Sequence, residues 1–328
     1  MGDEAISPAK RRLRKLWRDP QGYLLQSRYS GLRAIGKAAQ RRQDIAIARR
    51  AAAAKGRSVG VIVTAYNGAE TVARALASLA AQTHACLEIV AVDDASTDST
   101  RHILARFAAR DPRFRVLANE RNLGPYGSRN RALAALTTEF VTFLDADDHA
   151  APERIARQLG FLLGDRRRVA CVCSGLRVTP EGLPVAINGR RERMEASTLF
   201  FERARVLERL GRFDMVRFAG DAEFVGRLLA VFGARGLGRQ HEVLLTASFR
   251  ADSLTREGPG AQIWTQGEDP LDWRRETSPP RLAYEQAFRG WHAEIAAGRA
   301  SARLAGTDAP RPFPAPASMV APAPATQA

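Results

Sequence analysis

The sequence predicts an α/β fold, a mostly parallel sheet with helices on both faces, and three observations predict it. From residue 58 onward, apolar runs of strand length alternate with segments of helical periodicity. The runs are continuously apolar, as strands buried on both faces are, where a half-solvated strand would alternate. Each run ends in a polar cluster, and in open parallel sheets ligands bind outside the carboxyl ends of the strands.

The first strand is residues 59–65, VGVIVTA, and a helix follows at 71–82, TVARALASLAAQ. A second strand at 87–93, LEIVAVD, a second helix at 98–111, DSTRHILARFAARD, and a third strand at 114–119, FRVLAN, complete a βαβαβ series. The alternation continues with a helix near 126–136, a strand at 140–145, FVTFLD, a helix at 152–163 and a strand at 169–175, VACVCSG. Looser pieces come after it: helices near 202–210 and 220–232, and a strand near 243–249.

The flanks differ in texture. Residues 1–57 are polar, rich in Arg and Ala, and helical in pattern, with apolar positions at Leu13, Leu16 and Trp17 and again at Tyr23, Leu24 and Leu25; Pro20 divides them into two or more short helices. This segment holds 15 basic and 4 acidic side chains, so +11 of the net +15 sits there. It offers Coulombic attraction to an anionic membrane surface, an acidic polymer or nucleic acid, or it is simply a solvated basic helix. Residues 301–328 are rich in Ala and Pro and are expected to be disordered, since proline removes backbone donors and little apolar side chain is left to bury. No apolar run reaches about 18 residues and the N-terminus lacks a secretory signal, so a cytoplasmic location is expected, with peripheral contact to the inner face of a membrane. Cys86, Cys171 and Cys173 are odd in number, lack zinc-like companions and read as small buried hydrophobes.

The polar strand ends are TAYNG, DDASTD, NERNLGPYGSRN and DADD. None contains the glycine fingerprint of a dinucleotide site or of a P-loop, so any phosphate must be neutralised differently. Asp145, Asp147 and Asp148 crowd three carboxylates into four positions. Such crowding is unfavourable in a partly buried site unless a cation sits among the charges, and all-oxygen ligation suits Mg2+ or Mn2+. The bland reading of the same stretch is a turn with helix caps, which fits Asp148 best, as it fits Asp98 before the second helix.

These residues resemble family-2 glycosyltransferases of the GT-A, Rossmann-like fold. The resemblance covers roughly residues 58–235 and rests on five segments in the family's order: VGVIVTAYNGAETVARALASLAAQT, VDDASTDST, NLGPYGSRNRAL, FLDADD and GDAEFVGRL. It implies a glycosyltransferase domain over 58–300, with a nucleotide-sugar half at about 58–150 and an acceptor half at about 151–300. By resemblance, Tyr66 stacks on the nucleotide base, Thr64 lies beside it and Asp94 accepts a hydrogen bond from the base; Asp93 reads as inward or structural, and sequence alone does not separate the pair. An aromatic face with a carboxylate reads a uracil-type ring N–H, which guanine and thymine also offer, and a UDP-sugar is the favoured donor. Arg129 and Asn130 match the family's Arg-Asn pair near the donor, and Gly124 and Gly127 permit close backbone approach. Asp147 falls on the metal, and Asp145 on the ribose, the metal or both.

Family members carry a Glu-Asp pair ahead of a helix where this chain has Gly220 and Asp221. Asp221 is therefore the expected catalytic base, with Glu223 in reserve and a simple helix cap as the bland alternative. The implied reaction is direct displacement with inversion, metal-dependent, from a nucleotide-diphosphate sugar to a saccharide or lipid-linked saccharide. Residues 14–27, RKLWRDPQGYLLQS, and 250–255, RADSLT, are similar to elements of bacterial capsule and surface-polysaccharide transferases. An anionic membrane surface is the expected partner of residues 1–57, and no specific nucleic acid is expected. Two alternatives remain open on sequence: a catalytically silent sugar-nucleotide-binding or membrane-binding adaptor, and a sugar-nucleotidyltransferase. TAYNGAET has no basic residue of the kind the latter needs after its first strand.

Overall fold

The first predicted strand is the middle of a parallel set. In the computed structural model, which describes residues 19–25, 27, 29–251, 253, 256, 258, 260–305 and 310–321, two helices, α1 (Pro20–Leu25) and α2 (Ser30–Ala53), precede β1 (Val59–Ala65). β1 pairs in parallel with β2 (Leu87–Asp93) on one side and β4 (Phe140–Asp145) on the other. β3 (Phe114–Ala118) extends the set beyond β2. The strand order thus reverses across β1, and the carboxyl ends of β1, β2 and β4 open on one crevice.

Both faces of β1, β2 and β4 are covered, which is why their runs are almost wholly apolar, while the edge strand β3 carries the exposed Arg115. Val61, Val63, Ile89 and Leu144 pack with Leu76 of α3 (Val72–Ala80) and Leu104 of α4 (Thr100–Ala108). Ile62, Val90, Val92 and Phe143 pack on the other side with Leu133 of α5 (Gly124–Ala135) and with Phe213 and Phe224. α2 is part of the first layer: Ile47 is fully buried, and Gly160 of α6 (Arg154–Leu162) lets the two backbones approach, since a Cβ there would lie 2.3 Å from the Ile47 carbonyl oxygen.

The second half is mixed. β5 (His149–Ala150) pairs with β10 (Leu237–Ser248), which runs parallel to β6 (Ala170–Val178); β9 (Phe200–Glu202) is antiparallel to both β4 and β6. β7 (Pro184–Ile187) and β8 (Glu192–Met194) border β6, and β11 (Gln262–Gln266) with β12 (Asp272–Thr277) adds a hairpin beyond β7. Helices α7 (Arg203–Leu210), α8 (Gly220–Phe232) and α9 (Pro279–Ala296) cover this half.

The expectation of a disordered tail over 301–328 fails for residues 310–321. Phe313 and Met319 are 5% and 0% exposed, within the same apolar cluster as Tyr284 and Trp291. Arg311 Nε donates to both oxygens of Asp214, at 2.8 and 3.0 Å, and Asp214 also accepts from the Tyr284 hydroxyl. Composition counts prolines, whereas two apolar side chains aimed at an open core suffice to order a strap. Leu13, Leu16, Trp17, the basic segment through residue 18, most of the SLT element and the ends of the tail lie outside the described residues.

Candidate active site at the strand ends

Thr64, Tyr66, Asp94, Arg129, Asp145, Asp147 and Asp221 line one cavity of about 870 Å³. The sheet register explains the first part of this convergence. Thr64 is the Cα partner of Val92 on β2 and of Asp145 on β4, so three strand ends stop at one level. Tyr66, just past β1, is 53% exposed, a ring free to receive a flat ligand. Asp94 is buried, and its Oδ1 accepts from Asn119 Nδ2 at 2.6 Å and from the Leu123 backbone N–H at 2.8 Å. Both bonds fall on one oxygen and fix the plane of the carboxylate. Asn67 and Ala219 of the cavity wall, and Ala95 beside Asp94, have φ of 47°, 60° and 63°. Such left-handed geometry costs about 1–2 kcal/mol in a residue with a Cβ and collects at functional sites.

Arg129, 5% exposed, donates from Nη2 to Asp145 Oδ1 at 2.7 Å, and its guanidinium lies over the rings of Tyr126 and Phe143. Asp147 makes no ion pair among the described residues. Burial first, then the charge of Asp145, push its pKa up to about 6. A half-buried carboxylate with no cation at ion-pair distance among the described residues, beside a second carboxylate, is what an oxygen-ligated divalent ion would satisfy. No group of three or more His, Cys, Asp or Glu able to hold a metal occurs among the described residues. The donor set fits an ion that takes its remaining ligands from water and from a substrate diphosphate, the usual habit of Mg2+.

Asp221 stands in the first turn of α8, where acidic side chains favour the helix dipole. Its Oδ1 accepts from the Tyr126 hydroxyl at 2.9 Å and from the Ala222 N–H at 2.8 Å. Burial and the charge of Asp221 push the Tyr126 phenol up, so it stays a donor. Gly220, standing where the resemblance expects Glu, has a purpose: a Cβ there would lie 2.8 Å from the Tyr126 ring. The missing side chain makes room for the aromatic that holds Asp221.

Three expectations need correction. Asn130 does not line the cavity; its amide donates to the Phe213 carbonyl at 2.9 Å and accepts from the Phe213 N–H at 2.9 Å, clamping the segment before α8. Glu223 does not line it either. It is fully buried, paired with Arg227 at 2.9 Å and His292 at 3.0 Å. Asp148 is not a helix cap: its carboxylate accepts from the Ser248 N–H at 3.0 Å, tying the end of β4 to the end of β10, while α6 begins six residues later. Burial, then Asp147 and Asp145, hold its pKa well above the ordinary range. Asp98 stands one residue before the N-cap Ser99; its carboxylate accepts from Thr100 N–H at 2.9 Å and from Ala69 N–H at 3.0 Å, tying the start of α4 to the loop after β1. Sequence reasoning missed Tyr126, although it stands inside the quoted GPYGSRN, and it missed the arginines 177, 193, 275 and 281 that also line the cavity.

The sequence model of glycosyl transferase family 2 matches residues 60–216. The succinoglycan biosynthesis protein ExoO of Rhizobium meliloti (strain 1021) is 42% identical over 101 residues, 31% of this chain and 28% of that protein. The UDP-Glc:alpha-D-GlcNAc-diphosphoundecaprenol beta-1,3-glucosyltransferase WfgD of Escherichia coli is 34% identical over 105 residues, 32% of this chain and 41% of that one. The matched segments therefore span less than half the length of these relatives. Among solved structures, S. aureus TarS 1-349 in complex with UDP-GlcNAc superposes with a TM-score of 0.51 at 20% identity, over 74% of this chain and 71% of that chain, and shows the same GT-A fold. Residues 60–216 are a glycosyl transferase family 2 domain.

Proposed function

We propose that the chain is an inverting, divalent-cation-dependent glycosyltransferase that moves a sugar from a nucleotide-diphosphate sugar, a UDP-sugar first, to a hydroxyl of a saccharide or lipid-linked saccharide in surface-polysaccharide synthesis. One observation carries this reading: Asp221, oriented by the Tyr126 hydroxyl at 2.9 Å, shares a cavity with Asp94, Asp145 and Asp147. The names of ExoO and WfgD, which speak of succinoglycan and of a UDP-Glc-dependent transfer to a diphosphoundecaprenol-linked sugar, support the substrate class.

In this reading Tyr66 stacks on the base and Asp94, its plane set by Asn119 and the Leu123 N–H, accepts the ring N–H. Arg129 holds Asp145 from behind, and Asp145 with Asp147 would hold a divalent cation. When bound, such an ion stabilises charge on the leaving diphosphate. Asp221 takes the proton of the acceptor hydroxyl as that oxygen attacks the anomeric carbon. Glu223 is engaged by Arg227 and His292 and is unsuited to the task. Inversion follows from a single displacement in which no protein group bonds the sugar.

An anionic membrane surface is the proposed partner of the N-terminal helices. α2 leaves Ile35 and Ile45 exposed at 58% and 59% among exposed Arg33, Lys37, Arg41, Arg42 and Arg49. No helix among the described residues is long and apolar enough to cross a membrane.

The test is turnover of a panel of nucleotide sugars with and without Mn2+. Asp221→Asn abolishes transfer and leaves donor binding intact, whereas Asp147→Ala loses the metal-dependent part of donor affinity. Absence of turnover together with absence of metal-dependent nucleotide binding would falsify the enzyme reading.

A further inference from the structure

The cavity has two electrical halves. Its carboxylate floor at the ends of β2 and β4 and at Asp221 serves the donor and the base. The second half, built by β6, β8, β12 and the first turn of α9, presents Arg177, Arg193, Arg275 and Arg281. Two carboxylates answer these four guanidinium groups: Glu195 meets Arg177 at 3.2 Å, and Glu285 meets Arg281 at 3.6 Å.

The sheet brings these groups together by register. Arg193 on β8 is the cross-strand partner of Gly175, two residues before Arg177 on β6, so both arginines stand on one face as diagonal neighbours. Gly175 leaves the space between them open, and Glu195 occupies part of it: a Cβ on Gly175 would lie 3.0 Å from Glu195 Cγ. Arg275 is delivered by the β11–β12 hairpin, which Asn188 anchors by accepting from the Arg275 N–H at 2.8 Å. Arg177 is largely buried, and its Nε has no hydrogen-bond partner.

The crowding has an electrostatic signature. Burial, then the charges of Arg193 and Arg177, pull the Arg275 pKa down to about 10. Burial pulls Arg193 down as well, against the opposing charge of Glu195 and with the like charge of Arg177. Arg177 feels Asp148 and Asp147 as well as Glu195, so it adjoins the donor floor. Arg193 and Arg275 feel Glu195 and the other guanidinium groups. Half-buried cations held against one another are unfavourable unless an anion arrives to satisfy them.

We propose that this guanidinium wall is an oxyanion subsite for the acceptor: the saccharide that receives the sugar carries a carboxylate or a phosphate group, and Arg193 and Arg275, with Arg177 behind them, bind it. The inference rests on the glycosyl-transfer reading, and it adds that the acceptor is an acid. Planar guanidinium groups suit both oxyanions because each gives a two-oxygen edge to a fork of N–H donors.

The test reads binding, so that it stands apart from turnover. The full chain, saturated with UDP and Mn2+, is titrated calorimetrically with methyl β-D-glucuronide, with methyl β-D-glucoside and with glucose 1-phosphate. At least one charged probe binds about tenfold tighter than the neutral one, and which of the two does so assigns the carboxylate or the phosphate. In Arg193→Gln/Arg275→Gln the preference falls to about twofold or less, while UDP affinity stays unchanged and certifies the fold. Equal binding of charged and neutral probes by the unmodified chain overturns the inference without recourse to any variant. Loss of UDP affinity equal to the loss of probe affinity in a folded variant also overturns it, since the wall would then belong to the donor diphosphate. A chain that shows the preference yet transfers no sugar would count against the glycosyl-transfer reading alone.

Discussion

Asp147 is a carboxylate that works against the stability of its own fold. Its pKa, pushed by burial and then by Asp145 from 3.8 to about 6, is displaced by about 2 units. At 1.36 kcal/mol per unit, ionising it in the folded protein costs ~3 kcal/mol, and partial exposure reduces that to about 2 kcal/mol. The folded pKa lies above the unfolded one, so the cost is absent below about pH 4, grows as pH rises toward 6 and is complete above 6. Asp147→Asn removes it. Urea unfolding of the apo protein shows the variant more stable by about 2 kcal/mol at pH 7.5, and equal to the parent at pH 4. Saturating UDP with Mn2+ raises the midpoint of the parent and leaves that of the variant nearly unmoved, because the stabilisation is the ligand's preference for the folded form. Equal stability of the two proteins at pH 7.5, or the same gain at pH 4, refutes the reasoning.

Four further outcomes follow from the geometry. Tyr126→Phe removes the hydrogen bond that orients Asp221 and lowers kcat about tenfold, with donor affinity unchanged in equilibrium binding. Gly220→Glu drives a side chain into the Tyr126 ring and destabilises the protein by about 1–3 kcal/mol, most of which Tyr126→Ala in the same chain recovers; a double-mutant cycle in urea measures the coupling. Glu223→Gln breaks a fully buried pair and lowers stability by about 3 kcal/mol, while the folded fraction keeps metal-dependent UDP binding, in contrast to Asp147→Ala. Phe313→Ala, in the segment expected to be unstructured, costs about 3 kcal/mol by the same unfolding assay, since it empties a contact with Trp291 at 5.1 Å between ring centroids.

The parallel half of the fold is legible in the sequence because one physical condition, burial on both faces, writes the same apolar run at β1, β2 and β4, and the half-buried edge strand β3 keeps enough of it to be read. β1, β2, β3 and β4 begin and end within a residue of their expected bounds. β7, β8, β11 and β12 escape because they are three to six residues long and sit toward the sheet margin, and β8 and β12 also mix charge with apolar character. The match of residues 60–216 to glycosyl transferase family 2 argues against the nucleotidyltransferase alternative.

Within the site, the errors obey helix geometry. Neighbours on a helix are turned about 100° from one another, so when Arg129 of α5 reaches Asp145, Asn130 is committed elsewhere and meets the segment before α8. Glu223 follows Asp221 by two residues, about 200° round α8, which takes one carboxylate into the cavity and the other into the core with Arg227 and His292. Both corrections were available to a reader who had fixed the helix starts at Gly124 and Gly220. The guanidinium wall was not, since Arg177, Arg193 and Arg275 come from three strands whose pairing no local pattern announces. Tyr126 and Gly220 fall between these cases. Read singly, the glycine is a departure from the family and the tyrosine a core aromatic. Only their contact across 94 residues of chain shows that the absence at one position is the space for the other. The departure at Gly220 therefore leaves Asp221 facing the cavity and gives it a phenol hydroxyl as its side-chain partner.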